Sequence, residues 1–355
     1  MHLRVVLRTP GGDSVTRDTR DGTWDVPWGT PEEVIGADLW ALPGLIDAHA
    51  HLARETMDLG LGDLDGAVHR VTMALEAGVG LILDKGWRDL TIIDLIDKVP
   101  ATQRPEIEAA GVVCAVGGGF WEGFARNVPP GGIGPIVARA ADEGRGWVKL
   151  IGDWPRKGIG PMPNFSEEEL AEAVEVAVAH DARVAVHTMA RDVPSMAVRA
   201  GVHSIEHGLF LSPDDLVALG ARGGSWVPTV LQVEAVIRQL GGESSGGRLL
   251  IEGLENITSN LATAVEAGVH VLTGTDLVIG THQVALEAIR LWEMGMAPAS
   301  VVDAVSSGGF LASGRRPGFE VGDPANAVLF VEDPSLEPRV LAHPSRVIRL
   351  GRIVG

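Results

Sequence analysis

The stretch ALPGLIDAHAHL, residues 41–52, runs through an apolar segment and ends in two histidines separated by one alanine, His49 and His51. In a β-strand, side chains two residues apart share a face. A buried strand would therefore deliver both imidazoles to one place at its end. Taken alone the pair fits metal ligands and hydrogen-bonded structural histidines equally well, so the reading depends on what surrounds it.

Outward from this stretch, short apolar segments alternate with amphipathic ones. Strands are expected at 41–49, 78–85, 106–116, 146–152, 183–188, 201–208, 224–230 and 268–276. Helices are expected in DLDGAVHRVTMALEAG, SEEELAEAVEVAVAHD, DVPSMAVRAG and SPDDLVALGARG, the second opened by a Ser166/Glu169 capping box. Eight strand-plus-helix units predict an α/β fold of the closed (β/α)8 TIM-barrel type over 41–315. An open doubly wound sheet is the competitor, but no glycine-rich phosphate loop follows the first strand. Gly117–Gly119 read as a turn that lets backbone approach a pocket, and GGESSGG (241–247) as a mobile loop. Both chain ends, 1–40 and 316–355, read as short strands and turns.

The polar residues cluster at the strand ends. His49 and His51 end the first strand, Lys149 lies in the fourth, and His187, His207 and Asp276 end the fifth, sixth and eighth. In a parallel barrel the carboxyl ends of the strands carry the chemistry. Each residue also has a structural reading: His187 as a satisfied core histidine, Lys149 as a snorkelling amine, Asp276 as a turn cap. All of these would have to hold together at equivalent positions, which favours a metal centre. Lysine usage sharpens the point, since only Lys85, Lys98, Lys149 and Lys157 stand among 29 basic residues. A primary amine in an apolar strand can lose its proton and react with carbon dioxide, giving an anionic carbamate able to bridge two metals. A guanidinium cannot.

ALPGLIDAHAHL, GWVKLI, VAVHTMA, SIEHG followed by VPTV, and LTGTD together resemble the metal-dependent amidohydrolase superfamily, in its prolidase-like and imidazolonepropionase-related branch. The likeness extends from about residue 36 through the tail segment GFEVGDPANAVLFVEDP. It implies that the two ends form one small discontinuous β-sandwich. It also implies that His49, His51 and Asp276 bind a buried divalent metal and that His187 and His207 bind a more exposed one. A carboxylated Lys149 would bridge the pair, with zinc the metal that best suits the ligand set. Strand three ends GGGF, placing Phe120 where many relatives have histidine, and ANAVLF stands where an Ala-Asp pair is common. With no tyrosine in 355 residues, the phenolic oxyanion donor of hydantoinase-like relatives has no counterpart.

The expected reaction is hydrolysis of an amide in a small molecule such as a dipeptide or N-acyl amino acid. A metal-bridging hydroxide would attack, and Asp276 would act as general acid and base. Arg156 and Lys157, adjacent after the fourth strand, are candidates for binding a substrate carboxylate. His282 either lines the pocket or begins a helix, and His203 reads as structural. Alternatives are a mononuclear deaminase or cyclic-amide hydrolase, a lactonase or esterase, and an inactive barrel serving as a scaffold. A net charge of -18 argues against nucleic acid or an anionic membrane as partner. The lone Cys114 reads as a buried small hydrophobe, and the absence of a signal-like or membrane-spanning stretch predicts a cytoplasmic enzyme. Assemblies are common in the family, which leaves a homo-oligomer open.

Overall fold

The computed structural model describes residues 1–36, 38–54, 60–316 and 318–354. Eight parallel strands follow one another around a TIM-like barrel: β1 (Leu45–Ala50), β2 (Val79–Asp84), β3 (Glu106–Ala110), β4 (Gly146–Ile151), β5 (Arg183–Thr188), β6 (Ser204–His207), β7 (Ser225–Val227) and β8 (His270–Val271). The ring is completed past β8, where the Ala48 N–H donates to the Thr273 carbonyl at 2.8 Å and the Asp276 N–H to the His49 carbonyl at 2.7 Å. Helices pack outside, including Leu64–Glu76, Glu167–Ala179, Val193–Arg199 and Pro213–Gly220. The Ser166/Glu169 capping box is present. Among the described residues no helix is long and apolar enough to cross a membrane.

Strand period decides what enters the barrel. Ile46, Ala48, Leu81, Leu83, Trp147, Ala185, Val227 and Leu272 pack together inside it, whereas Val148, Leu150, Val184 and Val186 belong to the layer beneath the helices. Lys149 and His187 are two residues beyond Trp147 and Ala185, and so continue the inward face toward the rim. Cys114 is buried, and burial pushes its thiol up to about 12.

Three sequence expectations change. The segment 41–49 divides at Pro43-Gly44: Trp40–Leu42 joins the sheet of the chain ends, and β1 begins at Leu45. Gly44 makes the break with φ +151°, and a Cβ there would lie 3.0 Å from the Gly80 Cα. The segment 106–116 also divides, into β3 and a short strand, Cys114–Val116, that pairs with Arg126–Val128. GGESSGG is not one loop, because the Ser244 hydroxyl accepts from the Gly247 N–H at 2.9 Å and starts the helix Ser245–Glu266.

The chain ends pair into a single eight-stranded sheet that runs from Arg352–Val354 through Arg346–Arg349, Ala327–Phe330, Trp40–Leu42, Leu3–Arg8 and Ser14–Arg20 to Thr23–Asp25. Glu33–Ile35 adds alongside Leu3–Arg8. This sheet has its own apolar cluster around Leu3, Val5, Leu7, Trp24 and Leu329.

A hairpin, Asp153–Arg156 with Gly160–Pro163, rises directly from β4. Its base is fixed by fully buried Asp153, whose Oδ2 accepts from the N–H groups of Met189 (2.8 Å) and Ala190 (3.0 Å). Burial outweighs these bonds and pushes the carboxyl from 3.8 up to about 7. The folded state therefore retains a proton that the unfolded chain has lost, and stability from this group is complete below pH 3.8 and lost as pH rises through about 7. Asp153→Asn should accordingly gain stability relative to wild type across that interval, with a slope of at most about 1.4 kcal/mol per pH unit. Urea unfolding of both proteins at several pH values checks this, and a pH-independent difference would refute it.

Candidate active site

Six residues from five strand ends meet at one cavity of about 810 Å³: His49, His51, Lys149, His187, His207 and Asp276. Ligand atoms of His49, His51 and Asp276 all lie within 4.8 Å of one another. Asp276 Oδ1 is 3.3 Å from His51 Nε2 and 3.8 Å from His49 Nε2. A few steps around the rim, His187 Nδ1 and His207 Nε2 face each other at 3.0 Å.

The partners of the far ring nitrogens determine what the near ones can do. The Gly86 carbonyl, 2.7 Å from His51 Nδ1, can only accept, so His51 Nδ1 carries a proton and Nε2 is the nitrogen turned to Asp276, whose negative charge and hydrogen bond raise the imidazole's pKa against its burial. The Thr229 hydroxyl donates to the Pro228 carbonyl at 2.8 Å and lies 2.6 Å from His207 Nδ1, which fixes His207 in the same sense. His49 Nδ1 lies 2.7 Å from Glu206 Oε2. These contacts turn three Nε2 atoms toward the cavity, the arrangement by which outer partners orient metal-ligating histidines.

Electrostatics agree with this arrangement. Burial pushes His49 down to about 4 and His207 to about 3, so both imidazoles are neutral at pH 7. At Asp276 burial favours the acid, but interactions with the His49 and His51 rings outweigh it and lower the carboxyl pKa, while Asp276 in turn raises that of His51. Lys149 Nζ is buried without a hydrogen-bond partner. Burial, helped by nearby Lys85, lowers it to about 8. An orphaned amine beside five metal-type donors suits conversion to an anionic oxygen ligand, and the donor set as a whole suits divalent cations. His207, Thr229 and Asp276 all have left-handed backbone, at φ 63°, 47° and 50°. Such backbone is unfavourable for these side chains and persists where surrounding structure enforces it.

Phe120 and Arg156 are on the cavity wall, Arg156 bonding the Gly118 carbonyl and, at 2.8 Å, Asn164 Oδ1. Lys157 and His282 are not on that wall. Lys157 is exposed at the turn of the hairpin, and His282 lies in the helical turn Thr281–Gln283 that precedes the helix Val284–Glu293. His203 is structural, its Nδ1 accepting from the Val184 N–H.

Sequence reasoning missed a buried pair beneath the histidines. Glu206 is 0% exposed and accepts from Ser204 Oγ at 2.6 Å, while its Oε1 lies 3.2 Å from Nζ of Lys85. Lys85 is itself buried, with Nζ 4.4 Å from the Trp147 ring. Lys85, like Lys149 a rare lysine in an apolar segment, carries that same signal in the sequence.

The amidohydrolase family profile matches residues 40–354. An uncharacterized protein of Mycobacterium tuberculosis strain H37Rv is 32% identical over 342 residues, covering 91% of this chain and 89% of its own. Among solved structures, a Xaa-Pro dipeptidase with bound methionine in the active site superposes with TM-score 0.81 at 20% identity, over 99% of both chains. The ochratoxinase of A. niger does so with TM-score 0.79 at 16% identity, over 99% of this chain and 95% of its own. Matched along nearly its whole length by that profile, the chain belongs to the amidohydrolase family, hydrolases that act on carbon–nitrogen bonds.

Proposed function

We propose that this protein is a binuclear metal-dependent amidohydrolase that cleaves a small amide such as an N-acyl amino acid or dipeptide. The barrel, entered at Leu45 rather than at residue 41, is the catalytic unit, and the chain ends together with Trp40–Leu42 form the small β unit that supports it. The observation that carries the reading is Lys149, a buried amine with no partner set among His49, His51, His187, His207 and Asp276.

In this reading His49, His51 and Asp276 would hold one zinc ion, His187 and His207 would hold a second, and Lys149, once carboxylated, would be the anionic ligand of the site. Bound there, the cations supply a water acidified to a pKa of about 7 and an electrophile for the scissile carbonyl. The protein's own groups do the rest. Asp276, kept ionised by its histidine neighbours, accepts the proton of the attacking water and returns it to the leaving nitrogen. Arg156, on the hairpin after β4, receives a substrate carboxylate.

Protein purified with labelled bicarbonate should contain two metal ions per chain and a carbamate carbon signal that Lys149→Met abolishes. One metal with ammonia release would transfer the reading to a mononuclear deaminase. Asp276→Asn should lower turnover by about two to four orders of magnitude, and full turnover in a metal-replete variant would remove the proton-transfer role.

Glu206 and Lys85 generate a separate expectation. Glu206→Gln should weaken metal binding by roughly 10- to 100-fold through loss of His49 orientation. It should also lower the unfolding temperature by leaving Lys85 uncompensated. Replacing both, as Lys85→Met with Glu206→Gln, should restore part of that stability, because one unpaired buried charge costs more than none. Thermal unfolding of Glu206→Gln, Lys85→Met and the double variant measures this, and additive losses would contradict it.

A further inference from the structure

The cavity wall beside the metal-type ligands is built from rings. Trp87 lies edge-on to His51 with centroids 5.7 Å apart, Phe124 contacts Trp87 at 4.8 Å, and Phe120 contacts Phe124 at 5.4 Å. Trp154 contacts Phe120 at 4.6 Å and His187 at 5.8 Å, with Trp121 against both Phe120 and Trp154. A continuous line of ring contacts thus joins the two groups of histidines. It uses five of the nine Trp and seven Phe in a chain that is only 5% aromatic, so this concentration is more than general core filling. Trp87 and Phe124 are buried behind, and Phe120, Trp121 and Trp154 are half-buried, leaving ring surface toward the cavity.

The helices Val230–Leu240 and Ser245–Glu266 add a second, mainly aliphatic wall of Val236, Leu240, Leu249 and Leu250, with Gln232, Gln239 and Ser245 among them. Arg156 is the cation this space offers apart from Lys149 and the histidines, and among the described residues no carboxylate pairs with it. Leaving such a cavity to water is unfavourable, whereas a ligand that covers both walls gains from burial of apolar surface and from ring stacking.

We infer that the substrate is an amide bearing a bulky apolar group, aryl or branched alkyl, that fills the slot between the ring wall and the aliphatic wall. The inference rests on the amide-hydrolase reading for the bond cleaved, but not for the apolar slot. Phe120, Trp121 and Trp154 are then specificity-determining residues, and small polar dipeptides are poor substrates.

Two measurements on the metal-loaded protein test this. Calorimetric titration with acetate, benzoate and 2-naphthoate should show affinity rising along the series. The last should bind at least about tenfold more tightly than the first, equivalent to about 1.4 kcal/mol, with an increasingly negative heat-capacity change. In parallel, kcat/KM for N-acetyl-, N-benzoyl- and N-naphthoyl-glycine should rise in the same order. Trp154→Ala and Phe120→Ala should each shrink the naphthoyl-to-acetyl ratio severalfold at unchanged metal content. Equal affinity for the three acids, or a ratio untouched by both variants, overturns the inference whatever the activity. A graded affinity that both variants weaken, with no amide cleaved, upholds the apolar slot and sinks the amide-hydrolase reading instead.

Discussion

The site depends on how a full negative charge is kept inside an apolar barrel. Glu206 has no exposed surface, and moving a lone carboxylate there would cost many kcal/mol. Three groups compensate it: the Ser204 hydroxyl, the Lys85 ammonium and His49 Nδ1. Lys85 in turn rests over the Trp147 ring, which lies on the same inward face of β4 as Lys149. The arrangement is reciprocal, since Glu206 needs His49 in one orientation and His49 is held in that orientation by Glu206. With Nδ1 engaged below, the Nε2 lone pair is left facing the cavity, where Asp276 lies.

The same logic explains the strained backbone at the rim. His207 is the last residue of β6, Thr229 lies two residues past β7 and Asp276 sits past the extension of β8, where an ordinary strand would continue in extended conformation. Left-handed backbone turns the chain sharply at those points. At Thr229 the cost is offset by buried Glu287, whose carboxyl oxygens accept from the N–H groups of Val230 (2.5 Å) and Leu231 (3.0 Å) at the start of the next helix. At Asp276 the backbone N–H is bonded to the His49 carbonyl, so the turn that presents the carboxylate also closes the barrel. Strain is thus concentrated where side-chain direction matters most.

How much of this could be read beforehand follows from which interactions are local. Strand period placed His49, His51, Lys149 and His187 on inward faces, and the structure brings them with His207 and Asp276 to one cavity. Period fails where the chain pivots. At Pro43-Gly44 one apolar run serves two sheets, and only the close approach of Gly80, some 36 residues on, reveals the break. GGESSGG has a flexible composition, yet a single hydroxyl bond makes half of it helical. The Lys85–Glu206 contact joins β-strand ends 121 positions apart in sequence, and no local pattern announces it. For the same reason Lys157 and His282 were natural candidates by position yet are absent from the cavity wall.

The aromatic wall connects the electrostatics to the cavity. Charge–charge interactions weaken as water enters, because the effective dielectric rises. Trp87 against His51 and Trp154 against His187 put apolar surface beside a histidine of each group. An apolar ligand covering the half-buried rings would complete the exclusion of water that the protein begins. The proposed interactions of Asp276 with the reacting bond and of Arg156 with a substrate carboxylate would then act in a drier medium than in the open cavity. On the proposed reading, substrate shape and catalytic strength would be coupled through the same five rings: a small polar amide would leave the wall wet and the charges screened, while a bulky apolar one would supply the missing part of the environment in which those charges act most strongly.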